Sequence, residues 1–289
     1  VEINSLIAGL EQQIADEIED VVDEKELKSA PALKAPLIPS TRTCQIPATP
    51  TSEAREACFM ERWSLLDKPM NMAQQINMAL IDIMLQYPNV IVFGEDVGVK
   101  GGVYQLTRGL QQRFSQARVF DTLLDETTIL GQAIGYAHNG FLPIVEIQYL
   151  AYFHNAEDQL RSEAATLSFF SSGEFSNPMI IRIPSFAYQK GMGGHFHNDN
   201  SISVFRDLPG VIIACPSNGV DAAKMLRQCV ELAYLQQRIV VFLEPIALYY
   251  QKDLYQVGDG LLLNSYPNPS QHILLGEMGV YGTEDKANL

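Results

Sequence analysis

A carboxylate, a set of aromatic rings and a histidine-bearing loop are the features of this chain whose types and spacing could do chemistry. Glu126 lies in the run DTLLDETTILGQAIG, just after a short apolar segment and at the head of a helical pattern. A carboxylate there is favoured by the helix dipole, by about 0.3–1 kcal/mol. It can act as an acid–base group, or serve as an ordinary first-turn Glu beside Asp125. Downstream, Tyr149, Tyr152 and Phe153 cluster after the run PIVEIQ, which ends on Gln148. Rings beside a strand end can stack on a planar ligand or fill the core. The loop KGMGGHFHNDNS carries His195 and His197 beside Gly191, Gly193 and Gly194. Glycines let such a loop bend tightly near a ligand. A histidine with a near-neutral pKa can then give or take a proton. His-x-His also suits a metal, but no third ligand follows at a motif spacing.

These residues need elements to hold them, and the hydrophobic pattern supplies them. Helices are predicted at 71–87, 104–114, 126–139, 152–169 and 219–235. Strands are predicted at 90–94, 118–120, 143–148, 178–183, 211–215 and 238–244. The strand runs are short, β-branched and mostly apolar on both faces. Alternating with helices, they imply an α/β fold: a mostly parallel sheet flanked by helices. Such sheets bind ligands at the carboxyl ends of their strands. Glu95, Glu126, Gln148 and the 184–200 loop all fall there.

The flanks read differently. Residues 1–28 form an acidic amphipathic helix, with Ile3, Leu6, Ile7, Leu10, Ile14 and Ile18 near the helical period. Residues 29–69 read as a Pro-rich linker and lead-in, and 70–250 as the α/β domain. With 289 residues, 47% of them apolar, a large core can be buried. The net charge of −14 excludes a nucleic-acid surface, which needs clustered Lys and Arg. No apolar run approaches the roughly 20 residues that span a bilayer, so no membrane partner is expected. Cys44, Cys58, Cys215 and Cys229 form no CxxC pair, which suits reduced thiols in a cytoplasmic protein.

Together the runs VFGEDVGVKGGVYQLTRGL, RVFDTLLDE, PIVEIQ, EDQLRSEAA, GMGGHFHN, LPGVIIACPSN and VVFLEP appear in order between Met72 and Tyr249. In this they resemble the beta subunit of thiamine-diphosphate-dependent 2-oxo acid dehydrogenases. The resemblance implies the transketolase pyrimidine-domain fold. It also implies that Glu126 bonds a ring nitrogen of the cofactor's aminopyrimidine and promotes the proton loss that makes the cofactor a nucleophile. Leu124 would pack near the pyrimidine, Tyr152 would stack on it, and Gln148 would be a polar pocket residue. His197 would contact substrate or intermediate and move a proton. The implied reaction is oxidative decarboxylation of a 2-oxo acid with acyl transfer to a lipoyl carrier. The implied partners are an alpha portion, which would hold the diphosphate and magnesium, a lipoyl acyltransferase component, and a second copy of the chain.

The chain departs from that pattern at two places. Asp125 stands where the family has a small residue, and adjacent carboxylates disfavour full ionisation of both. The loop lacks the family's His-Ser-Gln, reading His-Asn-Asp from His197. These departures keep two rivals open: a transketolase-like carboligase, and a non-catalytic module that kept the fold. Gly258-Asp259-Gly260 with Asn288 mimics the diphosphate motif of thiamine enzymes. That motif needs a following helix, which Pro267 and Pro269 disfavour, so it is read as coincidence. The opening at Val1, the acidic helix and the Pro-rich stretch resemble a junction within a fused alpha-beta polypeptide. On that reading residues 251–289 lead toward a further C-terminal domain.

Overall fold

The computed structural model describes residues 2–22, 41, 44–186 and 194–277. Two compact units divide the chain, Val1–Ala35 and Pro36–Leu289. The first contains α1 (Glu2–Val22), whose Ile3, Leu6, Ile7, Leu10, Ile14 and Ile18 are all exposed. The expected continuation of this helix past residue 22 lies outside the described residues, as does the Pro-rich stretch from 29 to 40.

The second unit contains α2 (Ser52–Phe59), α3 (Met72–Gln86), β1 (Val90–Gly94) and β2 (Val119–Asp121). There follow α4 (Glu126–His138), β3 (Leu142–Glu146), β4 (Met179–Ser185), β5 (Val211–Ala214), α5 (Gly219–Gln236) and β6 (Ile239–Pro245). All six strands are parallel, in the order β2-β1-β3-β4-β6-β5. The α/β fold with a parallel sheet is therefore the observed one.

Successive strand residues point to opposite faces, and here both faces are covered. Val92, Ile144, Ile180, Val240 and Phe242 join the core that includes Ile76 and Leu80 of α3 and Leu226 of α5. Phe93, Val145, Ile181, Val241 and Leu243 join the opposite core with Ile129 and Ala133 of α4. The long helix α3 starts where its sequence says it should. Asn71 and Gln74 cap each other's backbone reciprocally, at 3.0 and 3.1 Å.

Two predicted helices are shorter than their patterns suggest. Over 104–114 only Leu110–Phe114 is helical, because Gly109 takes a left-handed φ of 78° just before it. The segment 152–169 breaks into short turns around a π-helical turn, Gln159–Ala164, where Ala165 N–H bonds the Leu160 carbonyl at 2.9 Å. Ala156, Leu160 and Ala164 are all buried. Four-residue steps overshoot a 3.6-residue turn, and a wider turn brings them back to one face.

The lead-in to the sheet is also more ordered than a linker. Residues 44–50 lack regular structure, but α2 follows, capped by Thr51. Arg55 of α2 makes a bidentate pair with Asp82 of α3, at 2.7 and 3.0 Å. From beyond β6, the Tyr266 hydroxyl donates to the same carboxylate at 2.9 Å. Arg227 of α5 stacks over the Tyr266 ring and donates to the carbonyls of Pro267, Asn268 and Gln271. Both flanks thus fasten onto the α3–α5 layer.

A second ionic group lies inside the sheet. Arg182 of β4 is fully buried and sits beside Glu146 in register. It donates to Glu146 at 3.0 Å and to both oxygens of Glu244 at 2.7 and 2.9 Å. The Tyr249 hydroxyl donates to Glu244 at 2.5 Å. Every charge in this group therefore has a hydrogen-bonded partner.

Candidate active site

The strand order locates the crevice. From β1 the chain moves outward to β2, then returns to place β3 on the other side of β1. Ligands of open parallel sheets bind at such a reversal, beyond the carboxyl ends of the two central strands. Here β1 ends at Gly94 and β3 at Glu146, paired in register. An added Cβ at Gly94 would lie 2.6 Å from the Glu146 carbonyl oxygen, so only glycine permits this approach. Glu95 follows β1, Gln148 follows β3, and Glu126 opens the helix after β2.

Glu126 is 6% exposed. Its Oε2 accepts one hydrogen bond, from Asn155 Nδ2 at 3.1 Å, and no cation pairs with it among the described residues. Asn155 is fixed in turn, its carbonyl accepting the Thr127 hydroxyl at 2.7 Å. The neighbouring Asp125 does a different job. It is the N-cap of α4, accepting the Thr128 N–H at 3.3 Å and the Thr128 hydroxyl. One residue of the doublet holds the helix start, and the other turns inward.

Glu95, Glu126 and Tyr152 form one electrostatic group. Partial burial, then the like charges of Asp96 and Glu126, hold the Glu95 carboxyl above the ordinary carboxylate range, against the pull of Lys100. The Tyr152 phenol is raised by loss of solvent, then by Tyr149, Glu126 and Glu95. His197 completes the group from the far loop. Its Nε2 lies 3.0 Å from the Tyr152 hydroxyl, and its ring meets Tyr149 edge-on at 4.6 Å between centroids. Beside it, His154 Nε2 lies 3.0 Å from Asp199 Oδ2, a second tie between the two segments.

The structure thus brings together Glu126, Tyr152 and His197, with Gln148 buried near the Glu95 backbone at 3.4 Å. It does not bring Leu124 to them: that side chain is 72% exposed on the β2–α4 loop. The His195 side chain lies outside the described residues. Asn155 was missed from sequence. It stands three positions after Tyr152 in a helical segment, a spacing that puts both on one face.

Gly258-Asp259-Gly260 is a self-contained turn. The Asp259 carboxylate accepts backbone N–H groups of Leu254, Tyr255, Gln256 and Leu261. These bonds hold it well below the usual carboxylate range. Asn288 lies outside the described residues. Among the described residues, no helix is long and apolar enough to cross a membrane.

Known proteins resemble this chain in sequence. Over 182 residues, 62% of this chain and 50% of the relative, it is 41% identical to the 2-oxoisovalerate dehydrogenase subunit beta of Pseudomonas aeruginosa. The 3-methyl-2-oxobutanoate dehydrogenase subunit beta of Mycobacterium tuberculosis is 37% identical over 205 residues, 71% of this chain and 55% of the relative. The pyruvate dehydrogenase E1 component subunit beta of Staphylococcus epidermidis is 39% identical over 183 residues, 62% of this chain and 54% of the relative. The chain spans about half the length of the curated relatives it matches. The family model described as "Transketolase, pyrimidine binding domain" matches residues 68–251, which hold the whole sheet and the crevice at its reversal, and the chain belongs to that family.

Proposed function

We propose that this chain supplies the pyrimidine-binding half of the decarboxylating component of a 2-oxo acid dehydrogenase. Glu126 carries the reading: a buried carboxylate without a cation among the described residues, at the head of a helix, in the crevice at the sheet's reversal. Family membership implies thiamine diphosphate, and these residues suit its aminopyrimidine. A carboxylate at that place can share a proton with a ring nitrogen, and an aromatic side chain can lie against a flat ring.

When bound, thiamine diphosphate supplies the nucleophilic carbon and the electron sink that decarboxylation needs. The roles of this chain follow from its own contacts. Glu126 shares a proton with the ring nitrogen, and Asn155 orients its carboxylate by donating to Oε2. Tyr152 offers its ring and, through its hydroxyl, sets the tilt of His197. His197 moves a proton at the substrate side. Gln148 lines the pocket, and Leu124 covers the pyrimidine once an alpha portion closes over the β2–α4 loop. That alpha portion holds magnesium and the diphosphate. The acyl group passes to a lipoyl acyltransferase component, and the working assembly is a cytoplasmic homo-oligomer. We further divide the chain into an acidic amphipathic segment (1–28), a Pro-rich linker and lead-in (29–69), the pyrimidine-binding α/β domain (70–250) and the segment 251–289.

Calorimetry tests the division of labour. Thiamine diphosphate with magnesium should bind this chain weakly, and bind tightly once the alpha portion is added. The mixture should then release carbon dioxide from branched 2-oxo acids or pyruvate. Carboligation of sugar phosphates without 2-oxo acid decarboxylation would replace this reading with a transketolase-like one.

A further inference from the structure

Three arginines line one cavity of about 590 Å³, together with Gly98 and Val99 of the loop after β1. Arg62 comes from the turn after α2, and Arg108 and Arg113 from the segment that leads into and through the short helix Leu110–Phe114. Gly109 shows how close two of them are. A Cβ added there would lie 2.6 Å from Arg113 Nη1 and 3.4 Å from Arg62 Nη2, so both guanidinium groups reach one point in space.

Their counter-charges are few. Arg113 is spent: it donates to the carbonyls of Cys58, Phe59 and Gly109, and to Glu61 at 3.0 Å. Glu61 is the lining carboxylate, and it stands 3.9 Å from Arg62 Nε. Arg62, with its side chain 18% exposed, donates to the neutral Asn77. Arg108 is exposed and has no ion pair or side-chain hydrogen bond among the described residues. In a chain of net charge −14 this is a pocket of unmatched positive charge. Burial, then Arg113, act to lower the affinity of the Arg62 guanidinium for its proton, and Arg108 adds to them against Glu61.

The cluster is also held in place. Asn77 is buried, and its Nδ2 donates to the carbonyls of Leu106 at 2.5 Å and Arg108 at 3.2 Å while its Oδ1 receives Arg62. One side chain therefore fixes both the Arg62 head and the backbone that bears Arg108. Gln111, Gln112 and Gln116 add neutral polar groups to the same lining.

We propose that Arg62 and Arg108, on the wall of this cavity beside Gly109, bind the phosphate group of a polar small molecule. Planar guanidinium forks match phosphate oxygens in pairs; the Arg62 head is already held by Asn77, and the Arg108 head is free of other partners among the described residues. The cavity is larger than one phosphate needs and falls within the range of small-molecule sites, about 300–1,000 Å³.

Calorimetric titration with inorganic phosphate, and separately with adenosine monophosphate, tests this at ionic strength held constant with chloride. Phosphate should bind saturably at one site. Arg108→Gln is exposed and should fold normally, checked by circular dichroism, and should weaken binding about tenfold or more. Lys252→Gln, which removes the same charge from another exposed position, should leave binding unchanged. Tighter binding of the nucleotide than of phosphate would show that the cavity takes the rest of the molecule, and equal binding would show a site for the phosphate group alone. Non-saturable binding, or equal weakening in both variants, would overturn the proposal.

Discussion

Two pairs of glutamates lie near the carboxyl ends of strands in one sheet, Glu146 and Glu244 on β3 and β6 and Glu95 and Glu126 beyond β1 and β2, in opposite electrostatic situations. Glu146 and Glu244 share Arg182, and Glu244 also accepts the Tyr249 hydroxyl. Glu95 and Glu126 have no ion-pair partner among the described residues and act on each other as like charges. The first pair is fully inside the sheet, where a charge without a partner costs several kcal/mol. The second faces the crevice, where a ligand can supply what the protein withholds. On the proposed function, proton chemistry falls to the pair without an ion-pair partner, while Glu146 and Glu244 tie β3, β4 and β6 together through Arg182.

Mutations can break this contrast. The largest effect should come from Glu126→Gln in the assembled enzyme. Gln keeps the volume and the hydrogen bond to Asn155 but cannot hold the shared proton, so turnover should fall about 10²–10⁴-fold. Thermal melting should stay within a degree or two of wild type. Near-normal turnover would remove Glu126 from the centre of the site. Arg182→Met should show the reverse pattern. It leaves two buried carboxylates facing each other and should cost about 3–5 kcal/mol in urea denaturation. A loss below about 1 kcal/mol would mean that the glutamates simply take up protons. Tyr249→Phe removes one donor to Glu244 and should cost about 1.5–3 kcal/mol.

Smaller effects sharpen the comparison. Asp125→Asn keeps an N-cap acceptor, so stability should change by less than about 1 kcal/mol. Turnover should barely move, and a loss larger than that of Glu126→Gln would exchange the roles assigned to the two residues. The smallest effect is on pH dependence. Because the folded protein holds the Glu95 proton more tightly than the unfolded chain does, this group favours folding at acid pH. That contribution is full below the ordinary glutamate value and is lost as pH rises through the raised one. Melting temperature measured across this window should fall in wild type relative to Glu95→Gln. Parallel curves would show that Glu95 ionises as it does in the unfolded chain.

Much of this was legible in the sequence because it is local. Runs such as VIVFG and LPIV are apolar at every position, as a strand buried on both faces tends to be. Glu126 could be picked out because it follows a strand and opens a helix. What could not be read depends on partners far along the chain. Arg182 looks like one polar residue in PMIIRI until Glu146 and Glu244 are beside it, 36 and 62 positions away. Arg55 sits in a stretch that composition marks as linker, and only Asp82, 27 positions on, makes it part of the body. The different jobs of Asp125 and Glu126 were hidden for another reason. Adjacent residues at a helix start point in different directions, and which one turns inward depends on Asn155.

The clasp at Asp82 has a mechanical consequence. It gathers Arg55 from before the sheet and Tyr266 from after it, with Arg227 at 4.0 Å. The antiparallel bridge between Met70 and Asn264 lies alongside. If the protein were pulled at residues 52 and 271, tension would enter α2, cross through Arg55 to Asp82, and leave through Tyr266 and the carbonyls held by Arg227. These links stand in series through one carboxylate, so the weakest of them sets the force at which the clasp opens. The six strands are off the load path until it does, so the crevice at the strand ends should keep its shape under forces that already strain the flanks.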